Sequence, residues 1–130
     1  MLGESGLTKL EREMIAVTVS SENQCFYSLV DHGSAVRELS KDPQLGERIA
    51  ANYRSAELPK KQEELLNFTK KLTKDPSEIG ENDRKKLRDV GYTDRDIWDI
   101  SAIVGLFNMT NRLASATEME PNNNYHNLAR

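Results

Sequence analysis

Apolar residues recur along this chain at intervals of three and four, the period of a helix buried along one face. Thr8-Lys-Leu-Glu11 has capping-box spacing, in which hydroxyl and carboxylate satisfy each other's orphan amides. The helix it opens is predicted to reach Val19, with Leu10, Met14 and Val17 on one side. Ser20 to Gln24 interrupts it with residues that favour a helix start. A second helix is predicted from Ser21, carrying Cys25, Leu29, His32, Val36 and Leu39. Asp42-Pro43 signals a third, short helix with Leu45, Ile49 and Tyr53, because proline at the first helical position gives up an amide that would be unpaired anyway. Leu58-Pro59 opens a fourth, whose inner stripe is Leu65, Leu66, Phe68 and Leu72, and Asp75-Pro76 ends it. Asn82 to Val90 reads as a short helix closed by Gly91, the residue expected in a left-handed cap.

Thr93-Asp-Arg-Asp96 starts the last helix, which differs from the others. From Ile97 to Leu113 its apolar residues (Trp98, Ile100, Ile103, Val104, Leu106, Phe107, Met109) surround most of the circumference. Such a helix is expected at the centre of a core or shared with a second subunit, and a short chain has little room to wrap it, so a homo-oligomer is expected. Residues 1–119 form one all-α helical-bundle domain in this reading, and 120–130 a polar tail.

Composition narrows the function classes. The chain has 130 residues, 37% hydrophobic, the length of one ordinary domain. No apolar run approaches the ~20 residues of a membrane helix and no secretory signal opens the sequence, so no membrane partner is expected. The 18 basic residues are scattered and outnumbered by 21 acidic ones, which argues against nucleic acid. A single cysteine excludes an internal disulfide framework and fits a reducing, cytoplasmic compartment. No metal-ligand spacing or phosphate-binding glycine loop is visible, and no cofactor is expected.

Chemistry centres on that cysteine. At ~100° per residue, Cys25, Ser28 and His32 fall within one ~60° sector of a helix. Cys25 sits near the helix start, where free amides and the positive end of the dipole favour a thiolate, and His32 is two turns further on. The plain alternative is a small buried hydrophobe with a histidine nearby by chance. Glu13 shifts the balance. It interrupts the stripe of Leu10, Met14 and Val17, a setting in which a carboxylate becomes a usable acid or base, although it could also sit at the stripe's edge and pair with a cation. Helices joined by a short connection are neighbours, so Glu13, Cys25 and His32 are expected to converge. Asn108, Asn111 and Arg112 are polar groups in an apolar helix and are expected to find partners in the core or an interface.

Glu13, eleven residues, then Cys25-Phe-Tyr-Ser28-Leu-Val-Asp-His32-Gly resembles the Glu, Cys-x-x-Cys-x-x-x-His signature of the alkylhydroperoxidase D and carboxymuconolactone decarboxylase superfamily. Leu10-Glu-Arg-Glu-Met-Ile-Ala-Val17, His32-Gly-Ser-Ala35 and Phe107-Asn-Met-Thr-Asn-Arg-Leu-Ala114 are similar to its peroxidase-related branch, and the likeness spans nearly the whole chain. The resemblance implies an oligomeric all-helical antioxidant fold. In it a cysteine pair reduces hydroperoxides, histidine and glutamate relay protons, and an external thiol or dithiol reductant restores the pair.

Ser28 departs from that pattern, standing where the peroxide-reactive second cysteine is expected. A hydroxyl cannot replace a thiol in sulfur redox chemistry, and no disulfide can close within the chain. Three accounts stay open: a cysteine exchanged for serine, a natural one-cysteine site in which Cys25 itself is oxidised to a sulfenic acid, or a pocket retained after activity was lost. The chain also begins almost at the motif, whereas longer members of the branch carry a further helical segment, so a short or truncated form is expected. The leading expectation is a thiol peroxidase with Glu13, Cys25, Ser28 and His32 as its site. The alternatives are a cofactor-free decarboxylase of the carboxymuconolactone type, using His32 and Glu13, and a non-catalytic oligomeric scaffold.

Overall fold

The computed structural model describes residues 6–119, so the expected tail, residues 120–130, lies outside the described residues. Six α-helices run in order: α1 (Lys9–Glu22), α2 (Phe26–Ser40), α3 (Leu45–Asn52), α4 (Lys60–Lys74), α5 (Glu81–Asp89) and α6 (Asp94–Ala116). Short 3-10 turns at Tyr53–Ser55 and Pro76–Glu78 flank α4, and no strand occurs among the described residues. The all-α class expected from periodicity is the observed one.

Both strong capping signals are realised. Glu11 N donates to Thr8 Oγ1 and Thr8 N to Glu11 Oε1, each at 3.0 Å, and Thr93 and Asp96 repeat the arrangement at the start of α6. Asp83 closes the first turn of α5 by accepting from Gly80 N at 2.9 Å. Pro43 lies in a turn before α3, which begins two residues later with Gln44 as its cap, and Tyr53 falls in the 3-10 turn after it.

The surrounded helix is α1, not α6. Every residue from Met14 to Ser20 is buried, and α1 packs against α2, α3, α4 and α6. Two of its hydroxyl residues, Thr18 and Ser20, go inside because each is satisfied there. Thr18 Oγ1 donates to Met14 O at 3.0 Å, and Ser20 Oγ accepts from Asn111 Nδ2 at 3.2 Å. Met14, Ile15, Val17 and Val19 are fully buried, each contributing about 1.5–3 kcal/mol relative to exposure. Helices α2 and α3 approach closely, so that a Cβ on Gly46 would stand 2.8 Å from Gly33 O. Glycine at 46 is therefore required by packing.

Helix α6 buries one face, with Ile97, Ile100, Ile103, Val104, Phe107, Asn111 and Ala114 inward. The opposite face is a continuous exposed stripe of Trp98, Ala102, Gly105, Met109 and Leu113. The encircling hydrophobicity of this helix is thus a core face plus an uncovered face, and among the described residues of one subunit nothing covers the second.

Candidate functional site

The break between α1 and α2 builds the thiol position. Helix α1 runs through Ser20 and Ser21, which were expected to end it, and stops at Asn23. Gln24 takes a left-handed conformation, φ 51°. Gln24 N then donates to Ser21 O at 3.1 Å and Cys25 N to Ser20 O at 3.0 Å, closing the last carbonyls of α1. Cys25 is the N-cap of α2 rather than a residue inside it, and Leu29 N donates to its carbonyl at 2.9 Å. The expected placement at the positive end of a helix is retained. The expected start near Ser21 is not, because Ser20 is drawn into the core by Asn111.

Around Cys25 the structure gathers two buried residues, Ser28 and Asn111. Its sulfur lies 3.6 Å from Ser28 Oγ and 3.7 Å from the main-chain carbonyl of Asn111. Asn111 Nδ2 donates to Ser28 Oγ at 3.1 Å, and Asn111 Oδ1 accepts from Asn23 Nδ2 at 3.1 Å. Cys25, Ser28 and Asn111 are each at most 3% exposed.

One further turn along the same face of α2, His32 forms a second group. Its Nδ1 meets Glu13 Oε2 at 2.6 Å, and the side chains are 16% and 19% exposed. A carboxylate only accepts, so Nδ1 carries the hydrogen and Nε2 is the position that gains or loses a proton. Phe107 of α6 sets its ring edge-on to the imidazole, centroids 4.8 Å apart, one turn before Asn111. Asp31 Oδ2 lies 4.0 Å from Nε2, nearer the site than its offset from Cys25 around the helix implies.

The four expected residues thus fall into two adjoining groups along one face of α2. Glu13 and His32 are directly paired, as are Cys25 and Ser28, and no hydrogen bond joins the pairs among the described residues. From Cys25 to His32 the helix rises about 10 Å, so a water or a substrate oxygen must connect sulfur to imidazole. Solvent reaches the Glu13–His32 end, while the sulfur end is closed. Asn111 is the member whose role at the thiol was not anticipated. Its polarity within an apolar helix was the available signal, and it indicated a buried partner without saying which.

Elsewhere, a cleft of about 480 Å³ between Tyr53, α4 and α5 contains none of these side chains. Among the described residues no cluster of His, Cys, Asp or Glu has the arrangement of a metal site, and no helix is long and apolar enough to cross a membrane.

No family model matches the sequence, and no curated protein does. Solved structures do. A protein of Silicibacter sp. TM1040, described as an uncharacterized peroxidase-related protein, is 61% identical over all of this chain and 68% of its own, with a TM-score of 0.98. A second from Ralstonia eutropha JMP134, described as an alkylhydroperoxidase AhpD core and an uncharacterized peroxidase-related protein, is 42% identical over the same shares, with a TM-score of 0.97. The helical bundle, the Glu13–His32 pair beside Cys25 and these two likenesses lead to one conclusion: the chain belongs to the peroxidase-related family built on the alkylhydroperoxidase D core.

Proposed function

We propose that the protein is a one-cysteine thiol peroxidase that reduces hydroperoxides at Cys25 and is restored by an external thiol or dithiol. The observation that carries this reading is the direct Glu13–His32 pair, aligned on one face of α2 with a thiol at the helix N-cap. In the reaction, the Cys25 thiol gives its proton to His32 Nε2 through a water. The thiolate attacks the terminal oxygen of the hydroperoxide, a sulfur–oxygen bond forms, and the oxygen–oxygen bond breaks. The alkoxide leaves as the alcohol, taking the proton from the imidazolium that Glu13 stabilises. Sulfur is oxidised by two electrons to a sulfenic acid. One external thiol condenses with it, releasing water and forming a mixed disulfide. A second thiol then frees Cys25 and leaves as the external disulfide.

The assay is peroxide consumption with a thiol donor, together with trapping of the sulfenic acid by a dimedone-type reagent. The wild-type chain is expected to turn over and to be labelled at Cys25, and Cys25→Ala to do neither. Unchanged consumption by Cys25→Ala would end the proposal.

We further propose that the active form is a homo-oligomer, supported by the exposed stripe from Trp98 to Leu113, which an aqueous surface leaves unpaid for. Cytoplasmic action follows from the same chemistry, since a lone reactive thiol and a thiol donor call for a reducing compartment.

A further inference from the structure

We propose that Asn111 is a positioning residue of the thiol site, holding the Ser28 hydroxyl as a donor aimed at the Cys25 sulfur. This rests on the reading of Cys25 as the reacting group. It makes Ser28 a working part of the site rather than the remnant of a lost cysteine.

Donor and acceptor roles settle the direction of every link. Arg112 can only donate, and its Nη1 lies 2.9 Å from Asn108 Oδ1, while Asn108 Nδ2 lies 2.9 Å from the Val104 carbonyl, which can only accept. The amide of Asn108 is therefore oriented from both ends. Its oxygen takes a hydrogen bond from Asn23 at 3.0 Å, so the atom Asn23 presents is its nitrogen. That nitrogen also donates to Asn111 at 3.1 Å, so the atom it meets is the Asn111 oxygen. The Asn111 nitrogen is left facing two serines, Ser20 at 3.2 Å and Ser28 at 3.1 Å.

Ser28 Oγ is thereby an acceptor from Asn111, and its own hydrogen must go elsewhere. The other polar atom beside it is Cys25 Sγ at 3.6 Å. The thiol hydrogen has its own acceptor, the Asn111 carbonyl at 3.7 Å. If the thiol donated to Ser28 instead, a hydroxyl hydrogen would be buried without an acceptor, an arrangement folded proteins avoid. When the thiol proton leaves, its bond to the carbonyl is lost and the Ser28 hydroxyl still donates to sulfur. Hydrogen bonds to a charged acceptor are the stronger kind, so this link favours the thiolate.

The test is the pH midpoint of the ultraviolet thiolate absorbance, which a single cysteine makes readable against a Cys25→Ala blank. The titratable groups of the adjoining relay (Glu13 of α1, Asp31 and His32 of α2) are the same in every variant compared. Ser28→Ala is expected to move the midpoint up by about one pH unit, tenfold in the thiolate-to-thiol ratio, and Ser28→Thr to restore it. Asn111→Leu is expected to move it in the same direction, while thermal melting reports its purely structural cost separately. A Ser28→Ala midpoint at or below that of wild type would overturn the inference. So would an Asn111→Leu protein that is folded, less stable and unshifted. Should Asn111→Leu fail to fold, the Ser28 pair decides alone. The titration contains no peroxide, so absence of turnover would refute the peroxidase reading and leave this result standing, and the reverse holds.

Discussion

The phenol of Tyr92 and the carboxylate of Glu11 form a buried latch whose removal has a calculable effect. Tyr92 is 2% exposed and Glu11 4%, and the phenol donates to Glu11 Oε2 while Oε1 accepts from Thr8 N at 3.0 Å. Tyr92→Phe keeps the ring and its packing beneath Lys61 Nζ, which lies 4.7 Å from the ring centroid, and removes only the hydroxyl. One charge-assisted hydrogen bond is lost and a carboxylate oxygen is left buried, a cost of about 1.5–3 kcal/mol. For a domain of this size that is a fall in melting temperature of roughly 5–15 °C at neutral pH. The same substitution changes behaviour in alkali. Burial, then the hydrogen bond and charge of Glu11, then the charge of Asp96, raise the Tyr92 phenol above its ordinary 10.0. Above that pH the unfolded chain releases the proton and the folded chain keeps it. The phenol's contribution is therefore fully present below about pH 10 and lost as pH rises, at up to about 1.4 kcal/mol per pH unit. Tyr92→Phe abolishes that share of the slope and leaves the part due to Tyr53, whose phenol burial also raises. Urea unfolding at neutral pH and along an alkaline series measures both effects. A variant within about 0.5 kcal/mol of wild type at neutral pH, or one with an unchanged alkaline slope, would refute the reasoning. Glu13 lies two residues beyond Glu11 on the same helix, so the latch also anchors the segment that presents the proposed proton relay.

Glu13→Gln keeps a hydrogen-bond acceptor beside His32 Nδ1 but removes the charge that stabilises imidazolium, and peroxide turnover is expected to fall about tenfold to a hundredfold. Adding His32→Gln to it should cost no more than His32→Gln alone, because the two act as a unit; additive losses in steady-state assays would separate them. Met109→Asp places a charge in the middle of the exposed α6 stripe and is expected to reduce the mass measured by light scattering to that of one subunit. The emission of Trp98, the sole tryptophan, should shift to the red in step; a wild-type chain that is already monomeric, with solvent-exposed Trp98, would refute self-association through this face.

Much of the fold was legible because its signals are local. The capping boxes at Thr8 and Thr93, the proline start at Pro59, the proline stop at Pro76 and the glycine at 91 each act within a single turn, and the helices begin or end within a few residues of them. The pairing of Glu13 with His32 was legible for a related reason. A carboxylate within an apolar stripe and a histidine on the next helix have few other places to meet. The centre of the core was not legible. Met14-Ile-Ala-Val-Thr-Val-Ser20 reads as one apolar side with polar punctuation, and only the bonds of Thr18 to Met14 and of Ser20 to Asn111 make that punctuation compatible with burial. The second of these joins residues 91 apart in the chain, beyond the reach of any periodic pattern.

The end of α1 shows how one residue type hides a structure that another reveals. Helices α1 and α5 finish with the same pair of bonds: Cys25 N to Ser20 O and Gln24 N to Ser21 O in one, Tyr92 N to Leu87 O and Gly91 N to Arg88 O in the other. At α5 the left-handed position is Gly91, φ 105°, and the sequence announces it. At α1 it is Gln24, φ 51°, a conformation that costs a side-chain-bearing residue on the order of 1 kcal/mol and that no local preference predicts. The ending holds because tertiary bonds on both sides of it, Asn23 to Asn108 and Asn111 and Ser20 to Asn111, tie the turn to α6. Each turn places the residue directly after it. Gly91 delivers Tyr92 to the buried carboxylate of Glu11, and Gln24 delivers Cys25 to the head of α2, with its sulfur against Ser28 and Asn111. Helix α6 is therefore a participant in the thiol site as well as a wall of the core. A substitution at Asn111 reaches Cys25 by two routes, through the hydroxyl of Ser28 and through the turn that places the cysteine at all.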